Sequence, residues 1–398
     1  MPFYPHFDEV PASMVIGKKC SLCNEEIRIN ERAVKFGIRG EQIVHRNCLE
    51  LGIGRREISL CSHCNYWLFT GELEVSTNGD QFCVQCIEAL HLIRCAECGN
   101  IFQNTIGREY CYNCYPFQIH DYSYKPKPKF FHLENEKTNL YYGIELEIDQ
   151  EIPCCDEDDD EEDYELREKA EENLENIKNK LPLSRREIYL KNDSSLSDYG
   201  VEIVTHPLSY QYFLKKFPIR EICNIAKENG FKSHDTNTCG LHVHISKKYF
   251  GEYGEYDSHE NEANIGKFIL FFESHWEELV KFSRRTKSSL RRWADKYAIR
   301  EIEEEKDETK ICKIVKGVSG RYFAVNLSNK HTVEVRIFKG SLRPETITAT
   351  IQLLQVILSF IKKNSLEKVR SASFKKLVTQ NKRKYQELFN YCKERGII

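Results

Sequence analysis

The chain has 398 residues, 40% of them hydrophobic and 30% charged, with a formal net charge of −3. That length allows two or three domains, each with its own core. The near-neutral charge offers no global attraction to nucleic acid, so any basic patch must be local. Apolar runs such as 351–361 fall short of the ~20 residues that span a bilayer, and no membrane segment is predicted. Residues 1–15 read as a tail without the basic start and apolar stretch of a secretory signal. Most of the 17 cysteines fall in CxxC or HxxC pairs, which points to metal ligation in a reducing, cytoplasmic setting rather than to a disulfide scaffold.

The zinc-binding segment is placed at 16–119. Its ligand pairs are Cys20/Cys23, His45/Cys48, Cys61/Cys64, Cys83/Cys86, Cys95/Cys98 and Cys111/Cys114. Two residues between paired ligands let one tight turn present both to a single ion, and four such ligands complete a zinc tetrahedron, so the set satisfies three zinc ions. Stretches of 12 to 21 residues separate the pairs within each sequential couple, enough for a hairpin that returns the chain to the metal. Sequential pairing is the simplest scheme, with one three-cysteine, one-histidine site and two all-cysteine sites; cross-braced pairing stays open. The arrangement resembles LIM-type and treble-clef modules, although Cys48 and Cys61 are further apart than in tandem LIM fingers. His63 and His91 read as surface residues. Full ligand sets leave no open coordination position, so these sites are expected to be structural.

A Tyr/Lys/Pro linker follows at 120–138, stiffened by the run Lys125-Pro126-Lys127-Pro128-Lys129. Residues 139–398 form the remaining domain. Within it, 151–182 reads as a solvated acidic insertion, with an unbroken acidic run from Asp156 to Asp163 and then a polar helix.

Period-two alternation predicts strands at 140–149, 200–205, 241–246 and 332–338. In the first, Leu140, Tyr142, Ile144, Leu146 and Ile148 share one face, with Glu145 and Glu147 on the other. Glu202, then His242 and His244, then Glu334 and Arg336 take the corresponding faces of the other strands. A clustering of carboxylates and imidazoles of this kind suits divalent metals. Helical patterns at 208–217, 221–229, 264–281, 288–298, 344–362 and 374–393 are expected to cover the apolar face, which makes the fold class α+β with an antiparallel sheet.

The order Gly143-Ile-Glu145-Leu-Glu147, Asp193-Ser-Ser-Leu196, Gly200-Val-Glu202-Ile-Val204, Gly240-Leu-His242-Val-His244, Arg321 and Glu334-Val-Arg336 resembles the amidoligase family of glutamine synthetase-like carboxylate–amine ligases. Ser194 stands where that family usually has Gly. The resemblance implies a glutamine synthetase-like catalytic domain that uses ATP and two or more magnesium ions to join a carboxylate to an amine through an acyl phosphate. It further implies that Glu147 and Glu202 serve one metal and Glu145, His242 and Glu334 another. His244 would face the phosphates or acyl substrate, Arg321 and Arg336 would neutralise the transferring phosphoryl group, and Asp193 would orient nucleotide or amine. No GxxxxGK[ST] loop occurs in the chain. The zinc modules are expected to recruit a peptide or protein substrate.

Two other classes compete. One is an adaptor for nucleic acid or protein, suggested by the zinc modules and by basic stretches at 284–292 and 375–383, both read as helices. The other is a metal-dependent hydrolase, which accounts for the metal ligands but not for the paired arginines. Oligomeric state, acyl donor and amine acceptor are not legible in the sequence.

Overall fold

The computed structural model describes residues 7–38, 40–104, 107–150, 152, 161–251 and 258–398. The chain divides into two compact units, Met1–Tyr115 and Pro116–Ile398.

The first unit is made of short hairpins. Strands β1 (Asp8–Val10), β2 (Ala33–Phe36) and β3 (Gln42–His45) form a three-stranded sheet, and helix α1 (Arg46–Gly54) follows directly. Three two-stranded hairpins come next: β4 (Ile58–Leu60) with β5 (Trp67–Phe69), β6 (Leu73–Val75) with β7 (Gln81–Cys83), and β8 (Leu92–Arg94) with β9 (Ile101–Gln103). Helix α2 (Val84–Ala89) lies between the last two. The apolar clusters are small; one gathers Val34, Phe36, Val44 and Leu49, another Leu68 and Leu73 around Cys61, Cys83 and Cys86. Cores of that size need a further staple, and metal is the usual one.

The second unit is built on an eight-stranded sheet. Its strands are β10 (Ile119–His120), β11 (Tyr141–Ile148), β12 (Ile188–Lys191), β13 (Val201–Thr205), β14 (Leu208–Ser209), β15 (Gly240–Ser246), β16 (Val325–Asn326) and β17 (Thr332–Lys339). The spatial order is β10-β12-β13-β11-β15-β17-β16, with β14 also on β11. All pairings are antiparallel except β10 with β12. Mixed helix and sheet make the class α+β.

Alternation on the central strands sends Ile144, Leu146, Ile148, Val201, Ile203, Leu241, Val243, Val333, Val335 and Ile337 into one continuous core with the helices. Those helices are α3 (Glu161–Lys180), α4 (Tyr210–Lys215), α5 (Ile219–Glu228), α6 (His259–Ser274), α7 (Trp276–Ser283), α8 (Lys287–Trp293), α9 (Arg300–Glu304), α10 (Glu308–Lys316), α11 (Pro344–Lys363), α12 (Leu366–Arg370), α13 (Phe374–Gln380) and α14 (Gln386–Glu394). Helix α11 is long and apolar enough to cross a membrane, yet 72% of its apolar window is buried, as in the core helix of a folded domain. At the contact of α6 with α10, a Cβ on Gly266 would lie 1.8 Å from the Glu308 carbonyl oxygen, so only glycine allows that approach.

Several elements differ from the sequence reading. Helix 208–217 begins instead with β14; Ser209 pairs opposite Tyr141, and its hydroxyl then caps α4 by accepting the Tyr212 N–H. The 264–281 helix breaks at His275, whose buried ring lies 2.9 Å from the carbonyl oxygens of both Phe271 and Ala372. The 374–393 helix also splits, since the Asn381 amide donates back to the Leu377 carbonyl at 2.9 Å and Tyr385 turns into the core. The 288–298 helix stops at Trp293, because Asp295 bridges to Phe323.

The segment read as a linker belongs to the second unit at both ends. Strand β10 pairs with β12, and Phe131 bridges to Leu208. Positions 156–160 of the acidic run lie outside the described residues. Helix α3 after them is not wholly solvated: Ala170 and Ile177 are buried, Leu174 packs beside them, and Leu181 follows in the core. Their spacing of three and four residues makes one apolar stripe on an otherwise charged helix.

Candidate functional site

In the first unit the ligand atoms gather into three groups. Within each, they lie within 4.8 Å of one another: Cys20, Cys23, His45 and Cys48; Cys61, Cys64, Cys83 and Cys86; Cys95, Cys98, Cys111 and Cys114. The structure thus brings the pairs together sequentially. Each group opens on the same turn. Asn24, Asn65 and Gly99 donate N–H to the carbonyls of Cys20, Cys61 and Cys95 at 2.9–3.0 Å, and all three residues have positive φ (62°, 58° and 76°). Asn and Gly are the residues that tolerate this conformation. In the last two groups, backbone N–H groups of Cys83 and Cys111 donate to the sulfurs of Cys61 and Cys95 at 3.4 Å. Burial alone would raise the thiols of Cys20, Cys61 and Cys95; backbone N–H donors outweigh it and bring each to about 7. One thiol poised for deprotonation in each group, within a set of three cysteines and a histidine or of four cysteines, makes a donor set that fits zinc.

The His45 ring is oriented by a residue the sequence reading missed. Its Nδ1 faces the sulfurs of Cys23 (3.4 Å) and Cys48 (3.7 Å), while Nε2 lies 3.1 Å from Glu31 Oε2. A carboxylate behind a histidine ligand fixes its tautomer and strengthens it as a donor. Glu31 is itself held by the Arg28 N–H at 2.7 Å.

In the second unit the polar face of the sheet carries the other candidates. Register sets Glu145 opposite His242, Glu147 opposite Glu202, and His244 opposite Glu334. A register shift between Leu241 and Val243 on the β17 side marks the strand at His242. The His242 ring lies between three carboxylates: Nδ1 is 3.4 Å from Glu145 Oε2 and 4.0 Å from Glu334 Oε1, and Nε2 is 3.7 Å from Glu147 Oε1. His244 Nε2 is 3.0 Å from Glu145 Oε1, and its Nδ1 is 3.0 Å from the Thr332 hydroxyl.

Each carboxylate has its own support. Glu334 pairs with Arg336 and accepts from the amides of Asn326 (2.8 Å) and Asn329 (3.0 Å). Glu147 accepts the Gly240 N–H. Glu202 faces the Lys191 ammonium at 3.4 Å.

Charge in this cluster is out of balance. Burial pushes Glu202 well above the usual carboxylate range, and the neighbouring Glu145 adds to it, with Lys191 only partly compensating. Burial also acts against the ionised form of Glu145, but His244 and His242 overcome it and hold the carboxyl well below its usual range. For His244, burial opposes the charge while Glu145 and Glu334 raise the imidazole to about 9. Buried carboxylates that repel one another call for a cation, and oxygen donors with imidazole fit a divalent one. Groups that could hold an ion include Glu145, His244 and Glu334, and Glu145, Glu202 and His242. Glu145 belongs to both, and His244 sits with the carboxylates.

Beside the cluster opens a pocket of about 130 Å³ whose lining includes Glu147, Asp193, His242, Arg285, Arg321 and Arg336, together with Trp293 and Tyr322. Asp193 builds its wall, accepting the N–H (2.7 Å) and hydroxyl (2.6 Å) of Ser195. Arg321 is exposed and stacks over Tyr322. Arg285 was not a sequence candidate, since 284–292 reads as a basic helix, and the helix begins only at Lys287. Arg284 takes a left-handed turn (φ 66°) and ties its guanidinium to the carbonyls of Lys339 and Gly340, and Arg285 is buried.

Together these features make a cluster of carboxylates and imidazoles that could hold divalent cations, beside an arginine-lined pocket, on one face of the sheet. Residues 143–358, more than half of the chain, match the family described as "Putative amidoligase enzyme", and the chain belongs to that family. Membership indicates a ligase-type activity. No curated protein matches the chain.

Proposed function

We propose that the protein is an ATP-dependent carboxylate–amine ligase with a glutamine synthetase-like catalytic domain, forming an amide or isopeptide bond through an acyl phosphate. The observation that carries this reading is the cluster of buried Glu147, Glu202, Glu334 and His242 with half-buried Glu145 and His244, beside an arginine-lined pocket, in a chain of the amidoligase family. Magnesium fits the carboxylates, and when bound with ATP it supplies charge neutralisation for phosphoryl transfer.

The chain's own residues have three tasks. The glutamates would hold the cations, braced by Asn326, Asn329 and the Gly240 N–H. Arg336 and Arg321 offer guanidinium N–H groups to oxygens that gain charge as the phosphoryl group moves. The Asp193 turn shapes the side where nucleotide or amine enters. In the reaction, a substrate carboxylate oxygen attacks the γ-phosphorus and ADP leaves; the amine nitrogen then attacks the acyl carbon, loses a proton, and phosphate leaves with the carboxylate oxygen.

The zinc unit, whose ligand groups are complete, serves on this reading to dock a peptide or protein substrate in the cytoplasm. Free thiols at Cys223, Cys239, Cys312 and Cys392 support a reducing setting. Protein supplied with magnesium, ATP and a cell extract as the source of carboxylate and amine should release ADP, and Glu334→Gln should abolish it; release untouched by that substitution would sink the assignment. Deletion through Tyr115, which spares β10, should preserve turnover of small amines and impair action on a macromolecular substrate. Equal loss of both would refute the docking role.

A further inference from the structure

The Glu334 carboxylate is anchored by one of its two oxygens. The amides of Asn326 (2.8 Å) and Asn329 (3.0 Å) both donate to Oε2. That leaves Oε1, which Arg336 bonds and which lies 4.0 Å from His242 Nδ1, turned toward the cluster. The two amides are not held alike. Asn326 is buried in β16, and its Oδ1 accepts the Ser328 N–H at 3.0 Å, so its amide cannot turn over. Asn329 is half-buried and sits outside both strands, in the turn between β16 and β17.

An ammonium group from the end of a different strand ties that turn. Lys247 directly follows β15, the strand of His242 and His244, and is 8% exposed. Its Nζ donates to the Asn329 carbonyl at 2.5 Å and to the Leu327 carbonyl at 3.3 Å. Its backbone is fixed too. The Lys247 N–H donates to the His331 carbonyl at 3.0 Å, and its own carbonyl accepts the side-chain amide of buried Asn261, on α6, at 2.6 Å. Lys247 thus grips the turn at three residues from a base anchored on a core helix. The next residue, Thr332, places its hydroxyl 3.0 Å from His244 Nδ1. Two braces of the candidate cation group Glu145, His244 and Glu334 therefore come from the segment that Lys247 holds, or from its edge.

The choice of side chain is informative. Burying an ammonium costs more than burying a neutral hydroxyl or amide, either of which could meet one of these carbonyls. With three donors on one atom, an ammonium draws two carbonyls to a single point, which fixes the turn rather than one bond within it.

We propose that Lys247 is a positioning residue for the divalent-cation site: by tying the 327–331 turn it keeps the Asn329 amide on Glu334 Oε2 and so presents Glu334 Oε1 to a cation shared with Glu145 and His244. This rests on the cation-binding reading of the cluster and adds to it a residue that touches no ligand atom itself.

The test is cation binding without turnover. Full-length protein is titrated with manganese, an oxygen-seeking ion like magnesium, whose free form gives an electron spin resonance signal that is lost on binding. Lys247→Met should weaken manganese about 10-fold, the lower end of what outer-shell partners of a metal site contribute. Asn329→Ala should do the same. The double variant should be no weaker than either alone, because both changes remove one brace. Lys247→Arg, which keeps charge and donors, should lose less than threefold. Melting curves check folding; if Lys247→Met fails to fold, Lys247→Gln takes its place in the cycle with Asn329→Ala. Manganese binding indifferent to Lys247 or to Asn329, losses that add in the double variant, or an Lys247→Arg variant as weak as Lys247→Met would overturn the proposal while leaving the cation site standing. A wild type that binds no manganese at the cluster would overturn both. Absence of ADP release would count against the ligase reading alone, because binding is scored separately.

Discussion

Replacing Glu202 with glutamine should stabilise the second unit without magnesium and blunt its response to magnesium. Glu202 stands opposite Glu147 on adjacent strands, so their side chains start about 5 Å apart. Two carboxylates roughly 5–6 Å apart in an effective dielectric of about 20 repel by about 3 kcal/mol. The Lys191 ammonium, 3.4 Å from Glu202, offsets part of this, and a carboxyl pushed toward its neutral form escapes more of it. A net gain of about 1 kcal/mol remains, or about 2–4 °C in melting temperature for a unit of this size. Magnesium at a hundred times its dissociation constant should add about 2.7 kcal/mol to wild type, and less than half of that to Glu202→Gln. In a Trp67→Phe background, fluorescence of Trp276 and Trp293 follows the second unit separately from the zinc unit. A variant less stable than wild type without magnesium, yet fully responsive to it, would show that Glu202 is only the partner of Lys191.

Further consequences follow from particular contacts. Glu31→Ala should weaken zinc at the His45 site about 10- to 100-fold, measured by competition with a chromogenic chelator, while the two all-cysteine sites hold their metal. Gly240→Ala has no unfavourable φ to contend with but would push on Arg285 and His242; ADP release should fall about 100-fold, the scale of a misplacement near 1 Å, with Gly143→Ala, whose Cβ meets His244 Cβ at 3.4 Å, as the milder comparison. His120 stacks on Tyr124, and burial, with Arg186 second, keeps its imidazole neutral down to about 4. The unfolded chain therefore takes up the proton first: the stabilisation is complete above about pH 6.5 and declines as pH falls toward 4. Urea melts of wild type should lose about 1–2 kcal/mol between pH 7 and pH 5 from this residue, and His120→Gln should remove that loss.

Much of the site was legible because alternation is a strong local signal. Residues 141–148, 201–205, 240–246 and 332–339 are strands, and a strand fixes which side chains share a face. The register that sets Glu147 against Glu202 and His244 against Glu334 is non-local, so the division of Glu145 between two cation groups was not readable. Arg285 was hidden within a basic run, because its burial depends on a left-handed turn at Arg284, a non-glycine residue with no sequence signature of that conformation. Lys191 and Asn329 act from short or irregular segments with little periodicity. The three zinc groups followed from ligand spacing, whereas Glu31 did not, being 14 residues from His45 and held there by a hairpin. Helix ends were misjudged where side chains intervened, as with Ser209 and Asn381.

The most direct test of the acyl-phosphate chemistry follows an oxygen atom. Carboxylates in a cell extract are enriched with oxygen-18 by acid exchange, returned to ordinary water, and incubated with the protein, ATP and magnesium. The account predicts phosphate carrying one oxygen-18 for each labelled carboxylate consumed, together with a new amide product, and neither with Glu334→Gln. Phosphate released by the wild type whose one added oxygen comes from water, carrying no oxygen-18, would contradict it and identify a hydrolase.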